Sequence, residues 1–215
     1  MSLAVLLLAV PAHAQQTEAS PLAPVSLQAL AARADAVVLA QVRDTDYLRR
    51  RDIPVSGSAY LKVLIPYKTD RSADLIEVYE KGLHDHECYF PNPTVFEEGR
   101  RYLLFLRRDE EDPERYRGMP EGCALDVLVA DDNRYVLRYP VTGVALSDPL
   151  EEMARPVTFG DGYAVVDEED LLPQERDRML NAGQIRRYGE GEWIYTTGVD
   201  LAEARRLIGV EALLD

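Results

Sequence analysis

Arg101-Tyr102-Leu103-Leu104-Phe105-Leu106-Arg107 is the stretch on which the reading of this chain turns. It is too short for a helix of its own, and charged segments flank it: Glu97-Glu98-Gly99 before, Arg108-Asp109-Glu110-Glu111-Asp112-Pro113 after. A short aromatic and branched apolar run between such segments is the profile of a strand buried on both faces. The two-residue period of a strand puts Leu103 and Phe105 on one face and Tyr102, Leu104 and Leu106 on the other. The run is bracketed by Cys88 and Cys123, the only two cysteines of the chain. A bond between them would close a loop of about 35 residues around this central strand, worth roughly 3–4 kcal/mol in the loop-entropy picture.

Working outward, the neighbouring segments also read as strands. Ser26 caps a predicted helix over 27–34, with Leu27, Leu30, Ala31 and Ala34 at helical spacing. Strands are predicted over 35–43, 59–67 and 74–81, the first two separated by a polar, arginine-rich segment, 44–57. A proline-rich bend, Pro91-Asn92-Pro93, precedes the central strand, and a charged loop over 110–122 follows it. A hairpin, 124–129 and 134–139, turns through Asp131-Asp132-Asn133, residues that accept turn dihedrals and bond their own backbone. Closely spaced strands with turns between them predict a mostly β protein built on a small antiparallel barrel.

Beyond Gly143 the texture changes. A helical turn is predicted over 149–154, short strands over 163–166 and 193–197, and a helix over 173–182 with Pro173 at its start and Gly183 at its end. A last helix begins at the capping box Asp200-Leu201-Ala202-Glu203 and stops at Gly209. The apolar content of 147–215 is thin, so this part is read as an α+β appendage packed on the barrel. The expected organisation is therefore a signal peptide over 1–14, a loose lead-in over 15–25, the barrel with its N-terminal helix over 26–143, and the appendage over 147–215.

The signal-peptide reading rests on the apolar run Leu3-Ala4-Val5-Leu6-Leu7-Leu8-Ala9-Val10, too short to span a bilayer, which ends in the A-x-A site Ala12-His13-Ala14. Cleavage is expected before Gln15. Met1-Ser2 carries no Lys or Arg, which leaves a start upstream of Met1 open. The mature protein is expected in the periplasm or outside the cell, without membrane insertion after cleavage, where paired cysteines persist. A formal charge of −14 argues against nucleic acid and anionic membranes as partners.

The helix leading into Ala34-Asp35-Ala36-Val37-Val38, then Tyr60-Leu61-Lys62-Val63-Leu64, a Cys, Phe96-Glu97-Glu98-Gly99-Arg100-Arg101-Tyr102-Leu103-Leu104-Phe105-Leu106 and a second Cys resemble the netrin-like modules. This group includes the tissue inhibitors of metalloproteinases and bacterial exported relatives, and the resemblance covers about residues 26–143. It implies a Greek-key barrel of the oligosaccharide/oligonucleotide-binding (OB) type. The inhibitors place the amine and carbonyl of an N-terminal cysteine on the protease zinc. This chain has no cysteine before Cys88, so that mechanism does not carry over.

No catalytic signature is present: no G-x-S-x-G, H-E-x-x-H, phosphate loop or dinucleotide glycine pattern. In His84-Asp85-His86-Glu87-Cys88, an extended backbone would turn His84, His86 and Cys88 to one side, a pair of imidazoles suited to a divalent metal. The competing reading is a polar strand end with Cys88 bonded to Cys123, no cofactor being required. The reading that follows is a non-enzymatic exported module for a protein or envelope ligand. Its expected binding surface is the barrel face with the segments 49–57 and 110–122, carrying Tyr47, Arg49, Arg50, Arg51, Arg115, Tyr116 and Arg117. A metal-binding protein using His84 and His86, and a hydrolase of envelope polymers with two facing carboxylates, are the alternatives.

Overall fold

The computed structural model describes residues 23–51, 53–71, 73–80 and 96–209. In chain order these form α1 (Leu27–Arg33), β1 (Ala36–Arg50), β2 (Ile53–Lys68), β3 (Leu75–Glu80), β4 (Arg101–Arg108), β5 (Tyr116–Gly118), β6 (Ala124–Val129) and β7 (Tyr135–Arg138). They continue with α2 (Leu150–Met153), β8 (Arg155–Pro156), β9 (Val165–Asp167), α3 (Pro173–Asn181), β10 (Ile185–Gly189), β11 (Glu192–Tyr195), β12 (Thr197–Asp200) and α4 (Leu201–Ile208). The protein is mostly β, with a closed five-stranded barrel and a few helices.

The barrel follows from β4. Its run is buried on both faces, as the two-sided apolar pattern predicts, so it needs partners along both edges. It pairs with β1 on one side, Leu39 opposite Leu103, and with β5 and β6 on the other. β1 pairs with β2, β2 with β3, and β3 lies parallel to β5, which completes the ring β1-β2-β3-β5-β4-β1. Ala36, Val38, Ala40, Leu61, Val78, Tyr102, Leu104 and Leu106 fill the interior. The alternate residues Val37, Leu39, Leu103 and Phe105 face outward and are covered by α1 and α4.

α1 is only seven residues long, below the length at which a helix stands alone. Both its ends are held from a distance. Ser26 Oγ accepts from Ala29 N at 3.1 Å and Asp148 accepts from Leu27 N at 2.7 Å, while Lys68 Nζ donates to Ala31 O and Ala34 O at 2.9 and 2.6 Å.

Three expectations are corrected. The polar segment 44–57 is not a separator: β1 and β2 continue through it as a two-stranded ribbon that turns at Arg51, whose φ is +50°. Most of its residues are polar and exposed or only half-buried, with little apolar alternation, so composition alone reads it as loop. Gly57 is required there, because a side chain would collide with the backbone of Asp46 and Tyr47 across the ribbon. The charged loop 110–122 contains β5, the strand that completes the barrel. The stretch 193–197 belongs to two strands, β11 and β12, and β10 precedes them.

The segment 147–215 packs on the barrel in two ways. β12 pairs with β7 and extends the main sheet, and Leu201, Ala204 and Ile208 of α4 share a core with Leu27 and Leu30 of α1. A smaller sheet, β10-β11-β9, and α3 pack around Phe159, Met179, Ile185 and Trp193 against Leu128, Ala130 and Val136 of the main sheet. Val25, just before the Ser26 cap, is joined to the same body, its N–H donating to Ala145 O at 2.9 Å. The segment expected as the signal peptide lies outside the described residues.

Because β4 is buried on both faces, Leu103→Ala and Leu104→Ala should each cost about 2–5 kcal/mol in chemical denaturation. A strand with one wet face would lose stability at only one of the two positions.

Candidate binding cleft

A cleft of about 350 Å³ lies between the start of β4 and the smaller sheet. The sheet is fastened to the barrel by Asp161. This carboxylate meets Arg101 of β4 at 3.1 Å and accepts from Val129 N at 3.2 Å, and its other oxygen accepts from Tyr163 N at 3.1 Å. Tyr163 in turn donates to Glu98 O at 2.8 Å. Gly99, with φ +86°, leaves room for that hydroxyl, and any side chain there would strike it.

The floor of the cleft is charged. Asp126 of β6 and Arg138 of β7 sit side by side, Nε to Oδ2 at 2.9 Å, with side chains 14% and 7% exposed. Arg138 also donates to Thr142 Oγ1 at 2.7 Å and to Pro140 O at 3.3 Å, and its guanidinium lies 4.6 Å from the ring centroid of Tyr195. Arg100 approaches the same Asp126 oxygen at 3.9 Å, bonds Glu97 at 2.6 Å and stacks on Tyr163 at 5.1 Å. Burial works against the Arg138 charge, but Tyr195 and Asp126 outweigh it and raise its pKa. Arg100 is raised against burial in the same way, chiefly by Asp126 and then Tyr102. Burial first and Asp126 second push the Tyr102 hydroxyl up, so it stays protonated. Asp167, Asp170 and Glu175 stand around this floor. With Glu97 and Asp126 they make five carboxylates against two arginines, and both arginines are already paired.

Among the described residues, none of the expected binding surface lines this cleft. Arg49, Arg50 and Arg51 are exposed at the ribbon tip. Tyr47 is turned inward: its hydroxyl donates to the buried Glu80 at 2.6 Å, and burial, then Glu80, raise its pKa. Arg115, Tyr116 and Arg117 are brought together, but for structural work. Tyr116 and Arg117 are buried, so neither offers a free surface. Arg115 bonds Asp109 at 2.7 Å and lies 3.8 Å from the Tyr79 ring centroid, which Arg117 also approaches at 5.4 Å. Cys123 is buried in the barrel core, while Cys88, His84 and His86 lie outside the described residues. Among the described residues no group of three or more His, Cys, Asp or Glu is placed to hold a metal, and no helix is long and apolar enough to cross a membrane.

The cleft residues left a trace in the sequence that composition alone does not single out. Asp126 interrupts Ala124-Leu125-Asp126-Val127-Leu128-Val129, and Arg138 closes Tyr135-Val136-Leu137-Arg138. A charge inside an apolar strand must find a partner or face a cavity.

Asp126→Ala should cost about 3–5 kcal/mol in urea denaturation, because it strands Arg138 in the interior. The double variant Asp126→Leu/Arg138→Met should recover at least half of that loss, and failure to recover would mean that Asp126 acts by something other than pairing. Asp109 gives a test against pH. Burial opposes its charge, but the Glu111 N–H and then Arg115 win and lower its pKa. Its contribution is therefore present above the unfolded carboxylate value, roughly 3.9, and lost as pH falls through the folded value. Asp109→Asn should cost about 1–3 kcal/mol at pH 7, and progressively less as pH falls below the unfolded carboxylate value and through the folded one.

No family model, no curated protein and no solved structure matches the chain.

Proposed function

We propose that this protein is an exported, non-enzymatic binding module that takes up a cationic group of a protein or envelope partner in the cleft between its barrel and its smaller sheet. The observation that carries the reading is the cleft's charge: five carboxylates, two arginines, and both arginines already neutralised by neighbours. A lysine or arginine side chain entering there meets Asp167, Asp170 and Glu175 without displacing a buried pair.

The strand order β1-β2-β3-β5-β4-β1, with β3 parallel to β5, supports reading the barrel as the OB-type, netrin-like module that the sequence resembles. Export and a Cys88–Cys123 disulfide belong to the same proposal. Protein recovered from periplasm should have a denatured mass beginning at Gln15 and should gain two hydrogens on reduction. A mass that retains the apolar leader, or no change on reduction, would sink this part of the reading.

The binding test is capture of periplasmic proteins on immobilised wild-type protein and on Asp170→Lys/Glu175→Lys. Capture by the wild type should weaken between 0.05 and about 0.5 M salt, as exposed charge pairs do, and the reversed variant should lose it. Equal capture by both proteins would overturn the cleft as the site.

A further inference from the structure

Three consecutive arginines, Arg49-Arg50-Arg51, take no part in the cleft of their own chain. They end the β1–β2 ribbon. β1 pairs with β4 only over Ala36–Gln41, and β2 pairs with β3 only over Gly57–Lys62. Among the described residues the last pairs, from Leu48 opposite Ser56 to Arg50 opposite Ile53, are therefore made within the ribbon alone. All three arginines are exposed, and so is Leu48 beside them, at 58%. On a chain of formal charge −14 this turn is a local concentration of positive charge.

The ribbon and the cleft share one end of the barrel. Val42 of β1 donates to Arg100 O and accepts from Gly99 N, both at 2.9 Å, and Arg100 lines the cleft. From Val42 to Arg50 the strand then runs about 26 Å. The ribbon thus starts beside the cleft and carries its arginines away from it. What the turn needs as a counterpart, the cleft holds. Asp167 and Asp170 are exposed there and Glu175 is half-buried, and among the described residues none of the three is held in an ion pair. Val165 and Val166, both half-buried, line the same cleft and offer Leu48 an apolar contact.

We propose that the protein recognises a second copy of itself, the Arg50-Arg51 turn of one copy entering the other's cleft among Asp167, Asp170 and Glu175. This rests on the reading of the cleft as a site for a cationic group, and it names the group and its bearer. An arginine fork matches a carboxylate in shape as well as charge. Because ribbon and cleft lie at one end of the barrel, a two-fold axis lets both contacts form together and closes the assembly as a dimer. The net charge of the two copies opposes their approach. That repulsion is screened beyond about 8 Å at physiological salt, whereas the contact of arginine with carboxylate is direct.

The experiment is sedimentation equilibrium up to about 100 µM protein in about 0.15 M salt. It compares the wild type, Arg50→Glu/Arg51→Glu, Asp170→Lys/Glu175→Lys and an equimolar mixture of the two variants. The wild type should be a dimer, and each variant alone should raise the dimer dissociation constant at least about tenfold. The mixture should dimerise again, because both reversed contacts are once more opposite in charge. Near-ultraviolet dichroism reports folding. If a reversed variant does not fold, the neutral variants Arg50→Gln/Arg51→Gln and Asp170→Asn/Glu175→Gln decide, each expected to weaken the dimer. A monomeric wild type, a dimer that the folded variants leave intact, or a mixture of folded variants that stays monomeric each overturns the proposal. Anisotropy of a fluorescein-labelled tri-arginine peptide separates this inference from the cleft reading beneath it. Peptide binding that Asp170→Lys/Glu175→Lys abolishes, together with a monomeric wild type, overturns self-recognition alone. A monomeric wild type that binds no peptide overturns both.

Discussion

The barrel depends on the burial of β4 along both faces and both edges. A run of apolar side chains with no wet face cannot sit at the rim of a sheet, so it takes β1 on one side and β5 and β6 on the other. That choice bends the sheet into a ring. It also separates two cores, one inside the barrel and one between its outer wall and the helices α1 and α4. Most of the large, fully buried side chains belong to β4 or to strands and helices packed on it. The helices are short because their work is to cover one face of that strand and its neighbours.

Charge is placed where the cores meet. Asp126 stands on β6 between Ala124, which faces the barrel interior, and Leu128, which faces the core of the smaller sheet. Neither core extends over that position, so the gap is lined by polar groups that satisfy one another. A buried pair of this kind adds little net stability relative to apolar residues of the same size, while breaking it is expensive. The floor is therefore held in one arrangement without being a source of stability. The rim carboxylates come from the smaller sheet and its connections, so the cleft's charge is set by how that sheet is docked, and Asp161 is the main fastening.

The chain's two halves are less separate than their compositions suggest. The C-terminal segment leaves the main sheet after β8, builds the smaller sheet and returns through β12 to pair with β7. α4 then packs beside α1, which brings the two ends of the described chain together over the outer wall of the barrel. A segment with too few apolar residues for its own core is stabilised by sharing one.

Local signals in the amino-acid sequence were enough to determine the mostly β class, the doubly buried β4, the Ser26 and Asp200 caps, the Asn133 turn and the stop at Gly209, because each rests on propensities and hydrogen bonds within a few residues. They did not reveal that a polar arginine-rich segment would pair with itself as a ribbon, or that three residues of a charged loop would close the barrel. The cleft was equally illegible, because Arg101 and Asp161 are sixty positions apart and Asp126 gains its meaning only beside Arg138 and Tyr195. Only the tertiary structure decided which charges are buried together and which cavities stay open, since a side chain's electrostatics depend on neighbours that the chain brings in from a distance.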